Sequence, residues 1–215
     1  NDDIRIGNQN TNGGIVINGG GDAELIAGND IEITETSSGI DLNGGDVTLR
    51  SGRDRRYDNV IDIAQDITAG TITIEAGDPT QNTGVKGNLN IASTAELRAT
   101  STDEGGVAID ITAREHIVNE GAIIAEEGNI DILADSDMLG RGNVESTGNI
   151  DAEQGTVDIT GRMVTVNTVH AGVNITLTSL QDAGFEGGGV VDTQGLISTD
   201  NGDVEIMVKA TPPVG

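Results

Sequence analysis

The sequence has no cysteine and no tryptophan, and it has only one tyrosine and one phenylalanine among 215 residues. The absence of cysteine excludes disulfides, thiolate metal sites and a thiol nucleophile. A globular core of this size normally buries several aromatic side chains, which this chain cannot supply. Its interior must instead be filled by isoleucine, valine, leucine and alanine, which are small, largely β-branched and well suited to strands.

Positive charge is also scarce, since 11 Lys and Arg face 36 Asp and Glu and the formal net charge is −25. Such a chain would be repelled by nucleic acid and by an anionic membrane surface, so neither is expected as a partner. No apolar run approaches the roughly 18 residues of a membrane span, and the opening NDDIRIG does not have the pattern of a signal peptide. We therefore expect a mature chain or a segment of a longer one, without membrane insertion.

Glycine, with 32 residues, recurs at fixed places in a repeated pattern. Three segments, starting at Ile117, Val144 and Val191, share eight positions. In the first copy these positions are Ile117, Asn119, Gly121, Ile123, Ala125, Gly128, Ile130 and Ile132. Shorter matches at 40–49 and 70–76 keep the second half of the pattern, and those at 87–93, 105–113 and 172–179 are assigned to its final strand.

The alternation within each copy is typical of a strand. In the segment 129–134, Ile130, Ile132 and Ala134 are expected on one face, and Asp131 and Leu133 on the other. Gly121 and Gly128 are expected at corners, where glycine permits positive φ. A helix over 111–128 is the alternative, but the β-branched residues and a central glycine disfavour it. The pattern predicts one all-β domain over 1–215, a parallel β-solenoid of about nine to ten coils.

Three loop insertions interrupt the pattern, near 50–60, 76–87 and 180–189. The first insertion carries a basic patch, whose candidate interaction residues are Arg50, Arg53, Arg55, Arg56 and Tyr57. This patch could bind an anionic glycan or an acidic neighbouring subunit. The alternative is that the arginines pair with nearby aspartates of the same chain. Recognition by loops is expected because loops carry specific contacts on repeat scaffolds.

The segment 117–134 resembles the repeat of the filamentous haemagglutinin family, the exoproteins of two-partner secretion systems, and 144–161 and 191–206 match it with conservative changes. The resemblance implies a right-handed parallel β-helix that is secreted to the bacterial surface and acts as an adhesin or structural filament. Its partner would be a host or surface glycan or a protein receptor. The secretion motif of that family is missing, so the resemblance implies a shaft segment. End-to-end stacking of subunits into a fibre is the alternative.

An enzyme is the rival class, because parallel β-helices also include carbohydrate-active enzymes. The chain offers only Tyr57 and Phe185 as aromatic platforms for a sugar, which disfavours this class, and we expect no catalytic residues and no cofactor. His116 and His170 each stand alone, without metal-binding spacing, and are interpreted as coil-edge or surface residues; a metal ligand or a catalytic base is the alternative. Segment 19–30 is similar to a calcium-binding nonapeptide but is not repeated in tandem, so structural calcium is only a weak alternative.

Overall fold

The computed structural model describes residues 3–7, 14–16, 21–52, 59–77, 86–100, 106–134, 142–181 and 189–210. Over these ranges the chain forms 22 strands and no helix, and all of the strand pairs are parallel. The strands form three stacks, which we call faces A, B and C. The chain visits the faces in this order once per turn, so the molecule is a parallel β-solenoid.

Face A comes first in each turn. It is formed by β1 (Ile4–Ile6), β4 (Ile31–Ile33), β7 (Asn59–Ile63), β10 (Gly87–Ile91), β13 (Ile117–Asn119), the first halves of β16 (Asn143–Ala152) and β18 (Met163–Ala171), and β20 (Val190–Thr193). Face B follows with β2 (Ile15–Val16), β5 (Ile40–Asp41), β8 (Ile67–Ala69), β11 (Glu96–Ala99), β14 (Ala122–Ala125), the second halves of β16 and β18, and β21 (Ile197–Thr199).

Face C closes each turn and is an eight-stranded sheet. Its strands are β3 (Ala23–Ile26), β6 (Val47–Ser51), β9 (Ile72–Ala76), β12 (Val107–Ala113), β15 (Asn129–Ala134), β17 (Val157–Gly161), β19 (Ile175–Gln181) and β22 (Val204–Ala210). Face C therefore has eight levels. Apart from the first and the last level, about six turns have a neighbouring turn on both sides. The predicted count of nine to ten coils is therefore too high. The reason is turn length, since aligned residues of face A lie 20 to 30 positions apart.

The register confirms the eight-position repeat in its first two copies. Ile117 pairs with Val144 on face A, Ile123 with Ile150 on face B, and Ile130 with Val157 on face C. The third copy, from Val191, is separated from the second by a turn made of β18 and β19. One assignment was wrong: the segment 87–93 belongs to the first strand of a turn, because Leu89 pairs with Ile117.

The core is a single column of aliphatic side chains along the axis. In β15, Ile130, Ile132 and Ala134 are buried while Asp131 and Leu133 are only partly buried, as the alternation predicts. The helix alternative over 111–128 is wrong, because this segment is built from β12, β13 and β14. Every fully buried isoleucine removes apolar surface from water on its own turn and on the turns above and below.

Glycine is required at the repeated positions for two different reasons. Gly128 has φ of 84°, as expected for a corner. Gly121 is not among the residues with positive φ, so that part of the prediction is wrong. A Cβ on Gly121 would lie against the carbonyl oxygens of Ala95 and Ala92 in the turn below. A Cβ on Gly148 would overlap the carbonyl oxygen of Gly121 in the same way. These glycines permit neighbouring corners to stack closely.

Asparagine and aspartate side chains link successive turns just before face C. The Asn129 Oδ1 accepts the backbone N–H of Thr156 at 2.9 Å, and the Asn174 Oδ1 accepts that of Asp203 at 2.9 Å. The Asp46 Oδ1 does the same for Thr71. Each bond satisfies a corner N–H group that the strand ladders leave out, and contributes about 1 kcal/mol.

Candidate functional site

The predicted basic patch is only partly described. Arg50 lies in β6 on face C, where its Nη1 is 3.0 Å from Glu24 Oε1 and its Nε is 2.9 Å from Glu75 Oε2. Arg50 therefore pairs with glutamates of the turns below and above. Of the aspartates predicted as partners, Asp54 and Asp58 lie outside the described residues. Arg53, Arg55, Arg56 and Tyr57 lie outside the described residues. The other two insertions also fall mainly outside them.

The two histidines do not form a common site. The His116 Nδ1 accepts the backbone N–H of Asn143 at 3.3 Å, which ties it to the next turn. His170 points outward from face B, with its Nε2 3.8 Å from Asp200 Oδ2. Within the described ranges, no three His, Asp or Glu side chains are grouped to hold a metal ion, and none of the described structure is a helix able to cross a membrane.

A groove runs along face A parallel to the solenoid axis, and we call it the face A groove. One wall is a column of outward side chains in register on successive turns. Glu32 pairs with Asp62, Asp62 with Asn90, and Asn90 with Val118. The Asn90 Nδ2 donates to Asp62 Oδ1 at 2.6 Å, which holds these two side chains together across the turns.

The floor of the groove exists because two small side chains occupy one column. Ala64 and Ala92 each follow a face A strand, in the position that Thr34 holds one turn below and Glu120 one turn above. Two cavities of about 380 Å³ and 330 Å³ open over this floor and share Asp62 and Ala64, so they form one continuous depression. Thr34 and Glu120 bound the alanine floor, and the lining continues past Thr34 to Arg5 in the first turn.

The corner between faces A and B directly follows the floor residues along the chain, and its hydrogen bonds join successive turns. The Gln65 Nε2 donates to the carbonyl oxygen of Glu35 at 2.9 Å, and the Thr94 hydroxyl donates to that of Ala64 at 3.1 Å. The backbone N–H of Glu96 donates to Asp66 Oδ1 at 2.9 Å. Since each bond joins two turns, this corner beside the floor is held in place without a ligand.

Face C carries a column of aspartates. Asp110 pairs with Asp131 and Asp131 with Asp158, so three carboxylates follow one another on successive turns. Burial raises the pKa of Asp131, and the charges of Asp158 and Asp110 raise it further. Burial also raises the pKa of Asp110, with a further contribution from the charge of Glu75. The column is a place of unfavourable charge density, because like charges directly opposite each other destabilise a sheet.

The last described turn exposes residues that are buried in the turns before it. Val204 and Ile206 in β22 align with Ile175 and Leu177 in β19. Ile175 and Leu177 are 0% exposed, whereas Val204 is 42% and Ile206 is 52% exposed. This surface is apolar and ends in a parallel strand edge, which is the surface that one turn presents to the next.

The sequence prediction missed the face A groove. The only signal for it is that alanine occupies an outward position after two consecutive face A strands, at Ala64 and Ala92. This signal can be recognised only when the register of the face A strands is known. Comparisons of the chain with protein-family models, with curated proteins and with solved structures find no match.

Proposed function

We propose that this chain is a structural and adhesive β-solenoid, a rod segment of a bacterial surface adhesin of the filamentous haemagglutinin type. In this proposal it winds right-handed, acts outside the cell and catalyses no reaction. It holds binding surfaces at a distance from its anchoring point.

The observation that carries the proposal is the continuous stack of turns around one aliphatic column. Eight levels of face C, spaced at about 4.8 Å, give a rod segment about 34 Å long. Each turn contacts its neighbours, so length can be added without redesign of the core. The outward faces carry carboxylates, amides and hydroxyls, which suit contact with water and with a polar ligand.

The experiment that tests the proposal measures attachment. Beads coated with the purified chain are applied to epithelial cell layers and to glycan-coated surfaces. An adhesive rod makes the coated beads attach more strongly than beads coated with an inert protein of similar acidity, and free chain competes with the attachment. Equal attachment of both kinds of bead rejects the adhesive role, whatever the shape of the molecule.

A second candidate is a subunit of an extracellular filament that assembles by end-to-end stacking. The exposed apolar turn formed by β20 to β22 favours it, because Val204, Ile206 and Val208 are 42%, 52% and 54% exposed. Another turn laid on this surface would bury these side chains and pair the free strand edge.

Sedimentation and negative-stain microscopy separate this candidate from the first. A filament subunit forms fibres that lengthen with protein concentration, and the Ile206→Asp substitution abolishes them by placing a charge in the contact. The matched control is Glu205→Gln, whose side chain points outward from the same strand. A chain that stays monomeric at high concentration excludes the filament but not the rod.

A further inference from the structure

We infer that the face A groove is a binding site for an extended glycan without acid groups. The inference rests on the proposed adhesive role and names the class of ligand that one surface of the rod would hold. It is carried by the direction of the groove, by the pairing of the strands beneath it and by its side chains.

The direction of the groove requires an elongated ligand. Its lining residues are in register from Arg5 in the first turn to Val118 in the fifth. With about 4.8 Å between strands, the groove is about 19 Å long and runs across the strands. The polar groups of its wall therefore recur at a nearly constant interval, close to the length that each sugar adds to an extended β-linked glycan.

The strands below the groove argue against a peptide ligand. β7 is paired with β4 on one side and with β10 on the other, and β10 is paired with β7 and β13. Their backbone N–H and C=O groups are used within the solenoid, so a peptide cannot add as a further strand here. A peptide lying along the axis would leave many of its own amides unpaired, at a cost for each one.

The side chains in the groove match hydroxyl groups. Asp62 and Glu120 offer carboxylate acceptors, Asn90 offers an amide that both donates and accepts, and Thr34 offers a hydroxyl. Ala64, Ala92 and Val118 provide a low apolar surface for the C–H face of a sugar. Because the described lining has no aromatic ring, binding of a hexasaccharide should be weak, with a Kd on the order of 0.1 to 1 mM.

The charge of the groove excludes acidic glycans. Glu35, Asp62 and Glu120 line it, and its one described arginine, Arg5, is paired with Glu32 at 3.0 Å. The formal charge of the chain is −25, so the surrounding field is also negative. A uronate or sulfated chain would be repelled, whereas a neutral or amino-bearing glycan would not.

The test is titration calorimetry of the whole chain with four probes: cellohexaose, a glucosamine hexamer, a galacturonate hexamer and hexalysine. We expect the first two to bind and the galacturonate hexamer not to bind. Ala92→Leu should weaken glycan binding at least tenfold by filling the floor. The matched control is Thr48→Leu, which adds the same side chain at an outward position on face C and should leave the affinity unchanged.

Three outcomes would overturn the inference: no binding of either non-acidic glycan, equal binding to the Ala92→Leu variant, or binding of hexalysine alone. Circular dichroism of each variant verifies that the solenoid is retained, and Asn90→Ala provides a second groove variant that removes hydrogen bonds without adding volume. Failure of this test leaves the bead attachment experiment to decide the adhesive role separately, since the rod could bind through another surface.

Discussion

Replacing Asp131 with asparagine should stabilise the protein at neutral pH. Asp131 lies between Asp110 and Asp158 on face C, and its pKa is raised first by burial and then by these two charges. Two unit charges about 5 Å apart in a water-like dielectric repel by about 0.8 kcal/mol. After screening by salt, removal of the central charge relieves about 1 kcal/mol over both neighbours. For a chain of this size that raises the Tm by about 2 to 4 °C.

The pH dependence gives the sign of the effect. The pKa of Asp131 is higher in the folded protein than the ordinary 3.8, so folding favours its protonated form. The stability that this group contributes is fully present below pH 3.8 and is lost as the pH rises through the folded pKa. On acidification, the stability of the wild type should therefore rise relative to that of the Asp131→Asn variant. The advantage of the variant at pH 7 should vanish near pH 3.5.

The assay is thermal unfolding followed by circular dichroism from pH 7 to pH 3.5, with a chelator present so that divalent cations do not neutralise the column. The control is Glu145→Gln on face A, because Glu145 has the uncharged neighbours Val118 and Thr165. The reasoning is refuted if Asp131→Asn lowers the Tm at pH 7. It is also refuted if the gain persists at pH 3.5 or if the control shows the same gain.

Four further substitutions test the core, the corners and the ion pairs. Ile130→Ala should cost about 2 to 5 kcal/mol in urea unfolding, because the 0% exposed side chain leaves a cavity shared by three turns; a loss below about 1 kcal/mol contradicts this. Gly148→Ala should cost about 1 to 3 kcal/mol through its collision with the carbonyl of Gly121, while Gly44→Asn, with open space around it, should cost about 1 kcal/mol or less. The guanidinium of Arg98 lies 2.7 Å from Glu96 and 3.0 Å from Glu126. Arg98→Met removes both ion pairs and should lower the free energy of unfolding by less than about 1 kcal/mol. That loss should shrink as salt is added, and a salt-independent loss would indicate packing instead of charge.

The prediction of the solenoid succeeded where the period was intact. Ile117 to Ile132 and Val144 to Ile159 have the same spacing, so their alignment in sequence is their alignment in space. The turn of β18 and β19 lacked this regularity. Ser146 pairs with Val166, but Asn149 pairs with Thr168. The turn of β18 and β19 therefore has one residue fewer at the corner between faces A and B than the turn before it. A search for a pattern with fixed spacing does not recognise such a turn as a copy of the repeat.

The corner glycines show a similar limit. The pattern marks Gly121 and Gly128 alike, yet only Gly128 has positive φ. The need for glycine at position 121 comes from the carbonyls of Ala92 and Ala95, about 26 to 29 residues away along the chain. Such a close approach is invisible until the turns are stacked.

The sequence by itself determined the class of fold. Alternation of Ile, Val and Ala with polar residues fixes which side chains are buried, and recurrence of that alternation fixes parallel stacking. The tertiary structure decided how many turns the chain makes, where Arg50 finds its partners, and that Ala64 and Ala92 lie one above the other to form a groove. The physical reason is that alternation is a property of neighbouring residues, whereas the groove, the ion pairs and the aspartate column join residues of different turns. Their positions depend on the lengths of the corners between strands, which the alternation does not encode.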